Sequence, residues 1–121
     1  MSHLPPGLYG MADATFGDPV TQAGRLVAAG CRVVQLRCKS WPMKDRLHAA
    51  QASLRITRAG GALLIINDDI RCAAEAGADG VHLGQGDGPI GPARDALPPG
   101  ALVGRSTHDQ HEIRSAIEEC A

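Results

Sequence analysis

Gln35-Leu36-Arg37-Cys38-Lys39 alternates polar with apolar side chains. In an extended strand that alternation turns Gln35, Arg37 and Lys39 to one face. A guanidinium, an ammonium and an amide then converge, which suits a diphosphate or another dense anion: Arg offers a fork of donors to phosphate oxygens and Lys a compact charge. An Arg-x-Lys by itself is equally compatible with solvated loop charges, so the assignment depends on what accompanies it. Asn67-Asp68-Asp69 follows four apolar residues, Leu63-Leu64-Ile65-Ile66, and so brings oxygen ligands abruptly to the rim of a core. Mg²⁺ is typically held by one or two carboxylates, with waters and substrate phosphates completing an octahedron. Asp68 and Asp87 are the candidates for that role. Asp69 is assigned instead to the N-cap of a helix starting at Ile70, and Asp87, between Gly86 and Gly88, is also compatible with a plain turn.

His82 lies inside the apolar run Val81-His82-Leu83, where a hydrogen-bonded structural histidine is the expectation. Ser106-Thr107-His108 gathers hydroxyls and an imidazole just ahead of a helix from Gln110, and free N–H groups at a helix start attract anions. The same stretch contains Asp109-x-x-Glu112, which has capping-box spacing. Lys44, Asp45 and Arg46 read as a solvated helix face, and Trp41 as a loop cover.

These residues need elements to position them. Apolar runs of strand length alternate with segments of helical periodicity, the signature of βα units and a parallel sheet. The strands are expected at Gly7–Met11, Arg32–Leu36, Ala62–Ile66, Gly80–Leu83 and Leu102–Arg105, and the helices at Pro19–Ala29, Met43–Ala59, Ile70–Ala76, Pro92–Leu97 and Gln110–Cys120. Gly30, Gly60, Gly77 and Gly100 stand as helix stops. Leu63 to Ile66 are apolar at consecutive positions, as in strands covered on both faces. Each polar cluster (Gln35 to Lys39, Asn67 and Asp68, Gln85 and Asp87, Ser106 to His108) falls at the carboxyl end of a strand. A doubly wound sheet gathers its ligand at one switch point, usually behind a glycine-rich turn, and no G-x-G-x-x-G or P-loop spacing occurs. A barrel draws site residues from the ends of many strands. The expected fold class is therefore α/β of the (β/α)8 TIM-barrel type, with five of the eight units in residues 1–121, a single incomplete barrel domain ending before the sixth strand.

Composition narrows the function further. The chain has 121 residues, 44% of them hydrophobic, with 15 glycines and one each of Phe, Tyr and Trp, so its core must be built from Ala, Val, Leu and Ile. Twelve Lys and Arg against thirteen Asp and Glu leave a net charge of −1 with no run of one sign, which speaks against a nucleic-acid or anionic-membrane surface. No secretory leader or membrane span is read, and a cytoplasmic location is expected. Cys31, Cys38, Cys72 and Cys120 form no C-x-x-C pair, so neither a zinc site nor a disulfide framework is expected, and three of them read as packing residues.

Val34 to Lys39, Leu64 to Asp68, Gly80 to Asp87 and Gly104 to His108 together resemble, in order and spacing, the thiamine-phosphate synthase family. The resemblance runs from about Gly7 to the last residue. It implies a barrel that joins hydroxymethylpyrimidine diphosphate to thiazole phosphate, releasing pyrophosphate and forming thiamine phosphate, with Mg²⁺ as cofactor and small molecules as the partners. It also implies that Gln35, Arg37, Lys39 and Asn67 hold the pyrimidine diphosphate, that Asp68 and Asp87 hold Mg²⁺, and that Ser106 lies near the reacting centre, with Arg37, Lys39 and Ser106 as the catalytic set. The sequence departs from the family at Leu8 to Asp13, usually more apolar and ending Thr-Asp, and at Arg105, usually a small apolar residue. The later family loops that hold the thiazole phosphate have no counterpart in these residues. Two other readings compete. One is a non-catalytic fragment or split-barrel protein, inactive alone, whose open sheet edge favours self-association or a missing C-terminal barrel segment. The other is a different enzyme on the same fold, either a thiazole tautomerase-like paralogue or a Schiff-base aldolase using Lys39. The joint presence of Gln35, Arg37, Lys39, Asn67, Asp68 and Asp87 argues against that second alternative.

Overall fold

The computed structural model describes residues 8–84 and 91–105. Gln85, Asp87, Ser106, Thr107, His108 and the expected helix Gln110–Cys120 lie outside the described residues. Strand β1 (Leu8–Asp13) leads through a 3-10 turn (Ala14–Phe16) to helix α1 (Pro19–Ala28), followed by β2 (Cys31–Arg37), α2 (Met43–Ala59), β3 (Leu63–Asn67), α3 (Ile70–Ala76), β4 (Gly80–Leu83), α4 (Gly91–Ala96) and β5 (Leu102–Arg105).

Local chemistry sets these boundaries. Asp18 caps α1 by accepting from the Thr21 N–H at 3.1 Å, and Pro19 occupies the first turn, where its missing N–H costs nothing. Asp69 caps α3 in the expected way, accepting from the Cys72 N–H at 2.9 Å, and Gly77 ends that helix at φ 73°, a left-handed conformation suited to glycine. Three strands differ from expectation at their carboxyl ends. β1 continues two residues further, to Asp13; β2 takes in Arg37; β3 takes in Asn67. In each case polar residues keep to the ladder because a neighbouring strand supplies a partner.

All five described strands run parallel in the order β1-β2-β3-β4-β5. Each βα unit therefore delivers its strand beside the previous one, without the reversal of order that defines a doubly wound sheet. Leu63 to Ile66 show how both faces are used. Leu64 and Ile66 join Ala12, Val34, Leu36, Val81, Leu83 and Val103 in the larger core, with Ala23, Ala49, Ala50, Cys72 and Ala73 supplied by the first three helices. Ile65 packs with Val33, Leu102 and Leu63 on the opposite face, which carries no described helix. The small helix residues let α1, α2 and α3 lie close on the sheet, the packing expected from the composition.

Gly80 is where close strand approach requires glycine. It pairs with Leu102 in the register, and a Cβ at position 80 would overlap the Leu102 carbonyl oxygen and stand 2.8 Å from the carbonyl carbon. Both groups are backbone and cannot step aside. Gly24, in α1, has nothing within 4 Å of such an atom. Gly80→Ala is expected to destabilise the protein by about 3 kcal/mol, whereas Gly24→Ala should stabilise it by up to about 1 kcal/mol. Urea unfolding of the two variants checks the contrast, and equal effects would contradict this register.

Candidate active site

The parallel register lines up the strand exits. Asp13 pairs with Arg37, Met11 with Gln35, and Asn67 with His82. With the alternation of each strand, Tyr9, Met11, Asp13, Gln35, Arg37, Asn67 and His82 fall on the face away from the helices. Tyr9 and Met11 are 45% and 46% exposed there, whereas Gln35 is 3% exposed.

A buried amide must be bonded at both ends, and Gln35 is. Its Nε2 donates to the Tyr9 hydroxyl at 2.6 Å, and its Oε1 accepts from Asn67 Nδ2 at 2.8 Å. One polar chain thus crosses β1, β2 and β3. Burial pushes the Tyr9 pKa up, although the bond from Gln35 opposes this, so the phenol stays protonated and keeps its own proton for an acceptor on this face.

Arg37 is fixed from the other side. Its Nη1 reaches Asp13 Oδ2 at 3.4 Å, with the Asp13 side chain buried and that of Arg37 36% exposed. Asp13 is itself anchored: its Oδ1 accepts from the Thr15 N–H at 2.9 Å, and its backbone exchanges two hydrogen bonds with the Gln22 amide of α1. The Thr15 amide holds the Asp13 carboxyl below the usual carboxylate range against the opposing effect of burial, with the Thr15 hydroxyl and Arg37 adding to the lowering. Arg37 is thereby aimed while part of its guanidinium remains open to a ligand.

Lys39 lies beyond the end of β2, so strand alternation alone does not place it on the face of Gln35 and Arg37. It lines a recess of about 70 Å³ with Leu36, Cys38, Ser40, Arg46, Ile66, Asn67, Asp68 and Cys72. Burial pushes the Cys38 and Cys72 thiols up to about 11, so both stay protonated and serve as packing. Asp68 has φ 61°, a left-handed conformation rarely adopted outside glycine. Two bonds to the exit of β4 accompany it: the Asp68 N–H donates to the His82 carbonyl at 2.8 Å, and Asp68 Oδ1 accepts from the Gly84 N–H at 3.1 Å. His82 is half-buried, and burial lowers its pKa against the pull of Asp68. Gly104 faces the ring, and a Cβ there would be 3.1 Å from Nδ1.

Gln35, Arg37, Asn67 and Asp68 thus meet at neighbouring strand exits, and Lys39 borders the recess beside them. Asp87 and Ser106 lie outside the described residues. Among the described residues no cluster of three His, Cys, Asp or Glu side chains is arranged to hold a metal ion. One carboxylate, Asp68, has the hard oxygens and the rim position that Mg²⁺ needs alongside substrate phosphates. Tyr9, Asp13 and Arg46 were not legible as site residues in the sequence. Arg46 corrects the expectation of a solvated face over Lys44 to Arg46: Lys44 and Asp45 are exposed, but Arg46 turns inward to the recess. Trp41 covers the core edge, its N–H bonded to the Cys38 carbonyl at 3.2 Å.

Residues 8–121 match the family described as thiamine monophosphate synthase. The chain belongs to this family. It is 50% identical over 115 residues to the thiamine-phosphate synthase of Methanoculleus marisnigri, covering 92% of this chain and 54% of that protein. It is 42% identical over 115 residues to the thiamine-phosphate synthase of Anaeromyxobacter dehalogenans, covering 95% and 50%. The fold is similar to the solved thiamine phosphate pyrophosphorylase from Pyrococcus furiosus, with a TM-score of 0.82, 26% identity, and coverage of 92% of this chain and 55% of that one. The α/β, TIM-barrel-like class expected from the sequence is thus the one found. The chain spans about half the length of the curated relatives it matches.

In this chain the Asp13 carboxyl is lowered in the folded state, so its contribution to stability is present above the unfolded carboxylate pKa and is lost as pH falls through the folded value. Asp13→Asn should therefore lower the melting temperature at neutral pH, and the gap from the unsubstituted protein should close below about pH 4. Thermal melts across that range check this. A gap that persists undiminished in acid would contradict it.

Proposed function

We propose that this chain provides the pyrimidine- and diphosphate-facing part of a thiamine-phosphate synthase, which condenses hydroxymethylpyrimidine diphosphate with thiazole phosphate and releases pyrophosphate. The observation that carries the reading is the convergence of Arg37, Gln35, Asn67 and Asp68 at adjacent carboxyl ends of a parallel sheet, in a chain of this family. Lys39, which lines one recess with Asn67 and Asp68, supports it.

The reaction asks little covalent chemistry of the protein. When the carbon–oxygen bond of the pyrimidine diphosphate breaks, negative charge grows on the departing pyrophosphate and positive charge on the pyrimidine methylene, which the thiazole nitrogen then captures. Arg37 and Lys39 stabilise the departing anion, and they do so best when already aimed, because no reorganisation is then needed as the charge develops. The Asp13 pair provides that aim for Arg37. Gln35 and Asn67 form a fixed polar edge against which the pyrimidine ring is oriented, with the Tyr9 hydroxyl at its end. Mg²⁺, when bound, supplies further neutralisation of the diphosphate oxygens. Asp68 and Asp87 are assigned to hold it, and Ser106 is assigned to the reacting centre. No helix among the described residues is long and apolar enough to cross a membrane, and the free, buried thiols of Cys31, Cys38 and Cys72 fit a reducing cytoplasm.

In the intact protein, Asp68→Ala should remove Mg²⁺-dependent pyrophosphate release, and Arg37→Ala should slow turnover by roughly 10² to 10³-fold. Pyrophosphate release measured with both substrates present checks both variants. Turnover unchanged in Asp68→Ala would contradict the metal assignment, and unchanged turnover in Arg37→Ala would contradict the diphosphate site.

A further inference from the structure

Within its own helix the Arg46 guanidinium meets the Met43 sulfur, to which its Nη2 donates at 3.9 Å. Arg46 stands in the first turn of α2, at the positive end of the helix dipole, where a cation is disfavoured. That helix starts at Met43 behind Pro42 without a side-chain cap. The charged partner of Arg46 belongs to another element: its Nη2 lies 3.2 Å from Oδ2 of Asp69, the residue that caps α3 and directly follows Asp68. The contact is charge against charge rather than an aligned hydrogen bond, since Asp69 Oδ2 has no hydrogen-bond partner, and neither does the buried Arg46 Nε. The pair ties the start of α2, reached from β2 through the turn that carries Lys39, to the loop after β3, which carries Asp68 directly beyond Asn67.

The recess gives this tie its consequence. Arg46, Lys39, Ser40, Asn67 and Asp68 line the same cavity of about 70 Å³. Ser40 and Asp68, at φ 73° and 61°, are the non-glycine residues of positive φ among those described, so each side of the cavity is formed by backbone that needs support from its surroundings. On one side the exit of β4 supports Asp68. On the other, Arg46 supports the next residue, Asp69.

We propose that Arg46 is a positioning residue for the diphosphate and metal site: through Asp69 it sets the separation between Lys39 and Asp68, and so the fit of a pyrophosphate-bound divalent cation between the two loops. This rests on the function proposed above. Arg is suited to the task because its guanidinium reaches the Asp69 carboxylate from α2 through Nη2 while the side chain also lines the cavity. Lys would supply the charge without the fork.

The test is calorimetric titration of the intact protein with inorganic pyrophosphate in the presence of Mg²⁺, without turnover. Arg46→Gln should weaken binding by about 10 to 100-fold, the usual cost of losing a group that orients a metal ligand, and Arg46→Lys should recover part of the loss. Asp69→Asn keeps the helix cap, since Asn caps as well as Asp, but removes the ion pair; it should weaken binding as Arg46→Gln does, and the double variant should be no worse than either single one. A merely structural role would lower the melting temperature of these variants while leaving the affinity intact. Affinity unchanged in Arg46→Gln, with Asp68→Ala losing binding, would overturn the positioning role and leave the proposed function standing. Unchanged affinity in Asp68→Ala would overturn the reading of the site, and this inference with it.

Discussion

Everything in the site depends on the register of parallel strands laid down in sequence order. Side chains alternate along a strand, so a slip of one residue would turn the whole polar set of that strand from one face to the other. The register Asp13 to Arg37 and Asn67 to His82 is therefore a condition of function as much as of stability. The larger core enforces it from the helix side, where Val34, Leu36, Leu64, Ile66, Val81 and Leu83 have one way to face α1, α2 and α3. The polar links enforce it from the other, since Gln35 meets both Tyr9 and Asn67 only in this alignment.

The same constraint explains how polar groups tolerate burial at the strand exits. An unpaired amide or carboxylate there would carry a desolvation cost. Gln35 avoids it by bonding across two neighbouring strands, and Asp13 by taking the Thr15 amide as well as Arg37. Such networks rigidify what they join. The result is a cation, an amide edge and a carboxylate held in place by partners within the chain.

The fold was largely legible because it depends on patterns short enough to read in one chain. Consecutive apolar residues such as Leu63 to Ile66 require a two-sided environment, and glycines such as Gly77 mark helix ends by a conformation that other residues resist. Asp69 as a cap was legible from its place before Ile70. What stayed hidden were residues whose meaning comes from a distant partner. Asp13 extends β1 because Arg37, 24 residues away, pairs with it. Tyr9 matters through Gln35, 26 residues on. Arg46 looked like part of a wet helix face with Lys44 and Asp45, and only the packing of α2 against α3 turns it toward Asp69. Lys39, read from the sequence as part of the strand's polar face, is carried instead by the turn after β2.

On the proposed function, one register assembles an anion and cation site across the exits of these strands. Crystals of the intact protein grown with Mn²⁺, as a substitute for Mg²⁺, and inorganic pyrophosphate would test it by anomalous diffraction. The expected result is an anomalous peak within coordination distance, roughly 2 Å, of an Asp68 carboxylate oxygen, with pyrophosphate oxygens between that ion and the side chains of Arg37 and Lys39. Pyrophosphate bound away from Arg37 and Lys39, or an ion that does not touch Asp68, would contradict it.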